Sequence, residues 1–217
     1  MQIKLNKNGE SKWYSMPDSW DEMSIDKYMG TMQYLTDDKS DKHTKLVMMI
    51  HYLSDIPEED LWNMSISDLT KLSGVMSDLL NSKPTEDLKH IIKIDGVKYG
   101  FDPKLRDISL GAFVDIEHCI KDGMYKNLHT LLSVLYRPVI KQKGKKYIVE
   151  DYEPSEERAE IFKNNLKVAD FNGASVFFYA LGTQLLDSMS KYLEMETLRE
   201  RIKLLKINGD GMKSSTD

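Results

Sequence analysis

Cysteine is nearly absent from this chain: Cys119 is the only one in 217 residues. No internal disulfide can form, which excludes a secreted, disulfide-stapled scaffold. Long apolar runs are missing as well. None approaches the roughly 20 residues needed to cross a bilayer. The polar start, Met1 to Trp13, lacks the apolar core of a signal peptide. The expected location is the cytosol or an assembly built there. No GKS/T or GxGxxG pattern accompanies Gly96 or Gly100, so phosphate-cradling loops are not indicated. A large excess of one charge is also lacking. The formal net charge is -5 and the pI about 5.6, which gives no general pull towards nucleic acid or anionic membrane.

Signatures of metal or covalent chemistry are equally scarce. His43, His51, His90, His118 and His129 stand outside any HExxH or CxxC context. His118 and Cys119 are adjacent, so a helix points them to different sides and they make a poor pair of zinc ligands. Cys119 reads as a small, partly buried apolar filler. Asp115 and Glu117, two residues apart, cannot share a helical face. Asp37, Asp38 and Asp41 read as favourable charge before a helix N-terminus. The run Asn208–Gly209–Asp210–Gly211 lacks the sixth-position glycine and twelfth-position glutamate of a calcium loop. No catalytic residue, cofactor or metal is therefore expected.

What the chain does have is ordinary globular chemistry. It is 41% hydrophobic and 30% charged, so the signature of disorder is absent over most of its length and a core can be buried. Residues 1–18 read as an N-terminal arm with aromatic anchors Trp13 and Tyr14. Residues 19–83 read as a helical subdomain. Ser19 and Ser24 both offer caps to a helix carrying Ile25, Tyr28, Met29, Met32 and Leu35. Leu46, Met49, Ile50 and Leu53 mark a second helix. Asp55 and Glu58 have capping-box spacing around Pro57 for a short third one. Leu69, Leu72, Met76, Leu79 and Leu80 line a fourth, which Lys83–Pro84 ends.

Residues 84–173 read as a hairpin-plus-helices subdomain packed on the first. Ile92 and Ile94, then Asp95–Gly96, then Val97, Tyr99 and Phe101 form the strongest short-range hairpin pattern. Tyr147–Val149 is a candidate third strand. A helix with Leu110, Phe113, Val114 and Ile116 or Ile120 follows, its Phe113 and Leu110 expected to pack on Tyr99 and Phe101. The next carries Leu128, Leu131, Leu132, Leu135 and Tyr136 and stops at Arg137–Pro138. Lys141, Lys143, Lys145 and Lys146 crowd a glycine-containing turn. They read first as a solvated turn, then as a contact for an acidic protein patch, and last as a nucleic-acid contact, because Tyr147 is the only flanking aromatic. Pro154 opens a helix anchored by Ile161, Phe162 and Leu166, and Asn172–Gly173 breaks the chain.

From Phe178 to Leu205, apolar residues recur every three or four positions without Pro or Gly between 183 and 207. A long C-terminal helix over 174–207 would be roughly 50 Å long, with a flexible tail at 208–217. Its distal half needs a partner surface. Candidate protein-contact residues are therefore Trp13, Tyr14, Tyr192, Met195, Leu198 and Ile202, since aromatic and long apolar groups dominate interfaces once desolvated. The expected fold is mainly α-helical, or α+β with a small hairpin or three-stranded sheet.

Four stretches carry a resemblance: IDGVKYGFDPKLRDISLGAFVDIE (94–117), LLSVLYRPV (131–139), YIVEDY (147–152) and GASVFFYALG (173–182). Together they resemble structural-cluster proteins of tailed bacteriophages, especially those infecting Bacteroides and relatives, including crAss-like phages. The arrangement is also similar to phage tail assembly chaperones. The resemblance spans roughly residues 24–187 and includes no catalytic motif. It implies a non-enzymatic virion component, a neck or tail ring subunit that binds other phage structural proteins and copies of itself. The alternative it implies is a chaperone that holds a tail protein transiently in the host cytoplasm. Neither membrane nor nucleic acid is an expected partner.

Overall fold

The computed structural model describes residues 2–7, 10–82, 87–102 and 108–174. The chain is of the α+β class, with helices joined to a two-stranded and a four-stranded sheet. Residues 1–173 form one compact unit. The long helix expected over 174–207 and the tail at 208–217 lie outside the described residues, Ala174 apart.

The first departure from the sequence reading is at the N-terminus. Residues 1–18 hold an antiparallel hairpin, β1 (Gln2–Lys7) and β2 (Glu10–Ser15), where an arm was expected. Alternation explains it. Ile3 and Tyr14 stand opposite each other and are buried, while Lys4 and Trp13 form the next pair outward.

Four helices follow. Ser24 caps α1 (Ile25–Leu35) by accepting from the Lys27 amide, whereas Ser19 makes no cap bond and flanks only a 3-10 turn, Trp20–Glu22. Asp41 caps α2 (Lys42–Ser54), accepting from the amides of His43 and Thr44. Asp55 does not open the next helix as its spacing suggested. It closes α2 in the left-handed region, at φ 60, and Pro57 takes the N-cap position of α3 (Glu58–Trp62). Ser65 caps α4 (Ile66–Asn81), which buries Leu72, Met76 and Leu79.

The larger sheet has the order β3 (Ile91–Ile94), β4 (Val97–Phe101), β5 (Tyr136–Lys143), β6 (Lys146–Val149), all antiparallel. The Asp95–Gly96 turn forms as the sequence pattern predicts, with φ 50 and 85 at its two residues. The sheet has four strands, not three, and the neighbour of β4 is β5. The Tyr147–Val149 segment forms the outer strand beyond it. The helix expected to stop at Arg137–Pro138 does end just before them, and α6 (Leu128–Leu135) runs directly into β5 without a loop. Pro138 lacks an N–H to offer the facing strand, but its carbonyl accepts from the Glu150 amide at 3.0 Å. The Glu150 carbonyl is taken by Nη1 of the neighbouring Arg137 at 2.7 Å. A guanidinium thus replaces the ladder bond that proline cannot make.

One face of this sheet closes the core. Tyr99 meets Phe162 of α7 (Glu156–Asn165) edge to face at 5.0 Å, and Phe101 meets Tyr136 at 5.3 Å. The fully buried Tyr136 donates its hydroxyl to the Lys89 carbonyl at 2.7 Å. Leu131 and Leu135 share this core as expected. The expected contact with Leu110 does not form. On α5 (Leu110–Lys121) the buried residues are Ala112, Ile116 and Cys119, and Leu110 is 77% exposed. The inward face is therefore rotated from the one the apolar spacing suggested. Cys119 is buried, and burial raises its thiol pKa to about 11, so it stays protonated as a small apolar filler.

Residues 168–174 are helical, so Asn172–Gly173 does not interrupt the described chain. Gly173 has another reason to be glycine. A Cβ there would lie 2.5 Å from backbone atoms of Asp87 and Leu88. An antiparallel bridge, Ile25 N to Leu166 O and Val168 N to Met23 O, both 2.9 Å, ties the helices of the first half to the second.

Candidate protein-binding surfaces

The β5–β6 hairpin carries the densest positive charge of the described residues. Cross-strand register places Lys143 opposite Lys146 and Ile148 opposite Lys141, all on one face, with Lys145 in the turn. The register shifts between Val139 and Lys141, and the extra residue, Ile140, is 63% exposed; Ile148 is 54% exposed. On the opposite face, at the same end of the sheet, Lys93 stands across from Lys98. Lys98 Nζ donates to Gln142 Oε1 at 2.8 Å, an amide rather than a carboxylate. None of these six lysines forms an ion pair within the described residues. Like charges directly opposite one another across strands are destabilising. The arrangement therefore costs the isolated fold a little and leaves both charge and apolar surface in solvent.

Immediately after β6 the charge reverses. Glu150, Asp151, Glu153, Glu156, Glu157 and Glu160 are all exposed and unpaired among the described residues. Leu110 lies at the same end, since its neighbour Gly111 sits against the Tyr152 ring. The four residues of β6 span about 13 Å, which sets Lys143, Lys145 and Lys146 at the turn end beyond a Debye length of about 8 Å from Glu150 at physiological salt. Lys141, opposite Ile148, lies nearest the acidic segment, yet no ion pair joins the two groups among the described residues.

A second surface lies along β1. Gln2, Ile3, Lys4 and Leu5 line one wall of a groove of about 590 Å³, and Met64, Leu72 and Val75 lie on the other side. Consecutive strand residues alternate faces, so a groove touching four in a row runs along the strand's edge. Exposed Trp62 and Ile66 flank the corner between α3 and α4.

The candidate contact residues divide three ways. Trp13 is 62% exposed, with the Lys4 ammonium 5.7 Å from its ring centre. Tyr14 is buried by its own chain and is not available to a partner, because the hairpin turns it inward with Ile3. Tyr192, Met195, Leu198 and Ile202 lie outside the described residues. The lysine hairpin was visible in the sequence as a lysine-rich turn. The acidic segment was not singled out in the sequence, although its run of carboxylates is there to be read; that both groups are exposed and unpaired among the described residues is evident only from the fold.

One polar cleft of about 340 Å³ gathers titratable groups from α5, α6 and α7. The Tyr152 hydroxyl donates to Asp115. Buried Arg158 spends Nε on the Ser133 carbonyl and Nη2 on the Glu153 carbonyl, both at 3.0 Å. His129 Nδ1 is buried without a hydrogen-bond partner, and desolvation lowers the ring's pKa. No hydrogen bond joins His129 to Asp115 or Ser133, so the described residues assemble no nucleophile–base relay here. Among them, no group of three or more His, Cys, Asp or Glu could hold a metal ion, and no helix is long and apolar enough to cross a membrane.

The chain matches no family model, no curated protein and no solved structure.

Proposed function

We propose that this chain is a non-enzymatic component of a tailed-phage virion, a neck or tail ring subunit that holds neighbouring subunits together. The β5–β6 hairpin carries the reading. Among the described residues its lysines form no ion pair and its isoleucines are exposed, the two deficits that a protein partner with acidic and apolar surface removes together. The resemblance of residues 94–117, 131–139 and 147–152 to phage structural-cluster proteins supplies the setting. Its partners are other phage structural proteins and copies of itself. It is assembled in the host cytoplasm and ends in the neck or tail region.

A tail assembly chaperone is the second reading. The groove along the β1 edge favours it, because an exposed strand edge beside an apolar wall suits an extended client. Quantitative mass spectrometry of purified particles and of infected-cell lysate separates the two. A ring subunit is present in particles at a fixed ratio to the portal. A chaperone is abundant in lysate and absent from particles.

A further inference from the structure

We propose that the lysine hairpin of one copy docks on the acidic segment of the next, so that the chain associates with itself head to tail. This rests on the ring-subunit reading and names the neighbour. One surface is Lys141, Lys143, Lys145 and Lys146 with exposed Ile140 and Ile148. The other is the run from Glu150 to Glu160 with exposed Leu110 beside it. Each surface has charge that is unpaired among the described residues, and each has an apolar residue to bury. The two are distinct patches on one compact unit. Repeated head to tail, their contact is heterologous, the kind that generates rings or open filaments.

The geometry disfavours a nucleic-acid occupant. Tyr147, the aromatic of this hairpin beyond Tyr136, packs where a Gly100 side chain would be and donates its hydroxyl to the Phe101 carbonyl at 2.6 Å. It is not available to stack on bases. Phosphates would also leave Ile140 and Ile148 uncovered. A second copy satisfies both kinds of group. Asp95 is the one carboxylate in the two hairpins of the four-stranded sheet, and it forms no ion pair with the lysines.

The test is sedimentation velocity on the full chain and two double variants. One is Lys143→Glu with Lys146→Glu; the other is Asp151→Lys with Glu153→Lys, two exposed side chains in an irregular segment. The wild type associates at low salt and dissociates as salt rises. Each variant alone associates more than about tenfold more weakly, because like charges then meet. An equal mixture of the two regains association, since every contact in it can again join opposite charges. Far-UV circular dichroism checks folding, and Lys145→Glu in the turn replaces the strand double if that variant unfolds. A monomeric wild type overturns the proposal, as does association unchanged in the variants or a mixture that stays monomeric. Lysine-dependent binding of double-stranded DNA by a monomeric wild type gives the face to nucleic acid and overturns it too. These outcomes are separable from the parent reading. A chain that associates as described but is absent from particles sinks the ring role alone. A chain found in particles whose association ignores these residues sinks only the docking.

Discussion

Arg137 donates from Nη2 to the carboxylate of Asp102, and both residues are buried. The same guanidinium reaches the Glu150 carbonyl through Nη1. One side chain thus joins the end of β4, the start of β5 and the start of the acidic segment. Removing only the carboxylate leaves an uncompensated buried cation. Asp102→Leu is expected to lower stability by about 3–5 kcal/mol. The double variant with Arg137→Met recovers part of that loss, though not all, because the Glu150 carbonyl then lacks its donor. Urea denaturation of the four chains of this cycle measures it.

Tyr147 lies over Gly100, and this contact holds β6 against the sheet. A Cβ at position 100 would be 2.6 Å from the Tyr147 ring and 2.9 Å from Val149 Cγ1. Gly100→Ala is expected to cost about 1–3 kcal/mol through overpacking. Adding Tyr147→Ala relieves the ring's part of the clash, leaving the Val149 contact, so the two changes are non-additive in thermal melts.

His129 is the group whose titration marks the α5–α6–α7 cleft. Burial lowers its pKa from the ordinary 6.5; Lys163 acts in the same direction, and Glu160 and Asp26 oppose it. The unfolded chain therefore binds the proton more readily than the folded one. Stability is full above about pH 6.5 and falls as the pH drops below it. His129→Gln is expected to flatten this dependence between about pH 7 and pH 5. The aspartates with lowered pKa, Asp37, Asp41 and Asp68, lose their contributions only below 3.8. Chemical denaturation at a series of pH values reads the slope.

The lysine hairpin predicts an inverse relation between folding and binding. Lys146→Glu replaces a like-charge pair with an opposite-charge one across from Lys143. The monomer is expected to gain a few tenths of a kcal/mol, about 0.2–1, while association weakens. A variant that lost both stability and association would contradict this relation.

Much of the helical framework was legible because its signals are local. Ser24, Ser65 and Ser109 cap the helices they precede, and Asp95–Gly96 makes its turn. The N-terminal hairpin has its signals in the sequence too: Asn8–Gly9, a strong hairpin dipeptide, stands between its strands, and Ile3 and Leu5 alternate with polar residues, but Trp13 and Tyr14 side by side resemble the anchors of an arm. Strand β5 was hidden for a different reason. Pro138 argues against a strand, and what rescues it is the Arg137 guanidinium bonding to a carbonyl 13 positions away. The candidate surfaces divide the same way. Lysine density is a property of the sequence, but whether those lysines find an ion pair among the described residues depends on which strands pair. Tyr14 shows the limit plainly: its type suits an interface, and only the hairpin register reveals that it faces inward.

Zero-length carbodiimide coupling tests the docking most directly, since it joins an amine to a carboxylate only when they touch. An equal mixture of unlabelled and heavy-isotope-labelled chain is coupled at low salt and digested. The expected products are mixed-label peptides joining Lys141, Lys143, Lys145 or Lys146 to carboxylates between Glu150 and Glu160. Couplings of these lysines found solely within single copies, or none at all, would contradict the account.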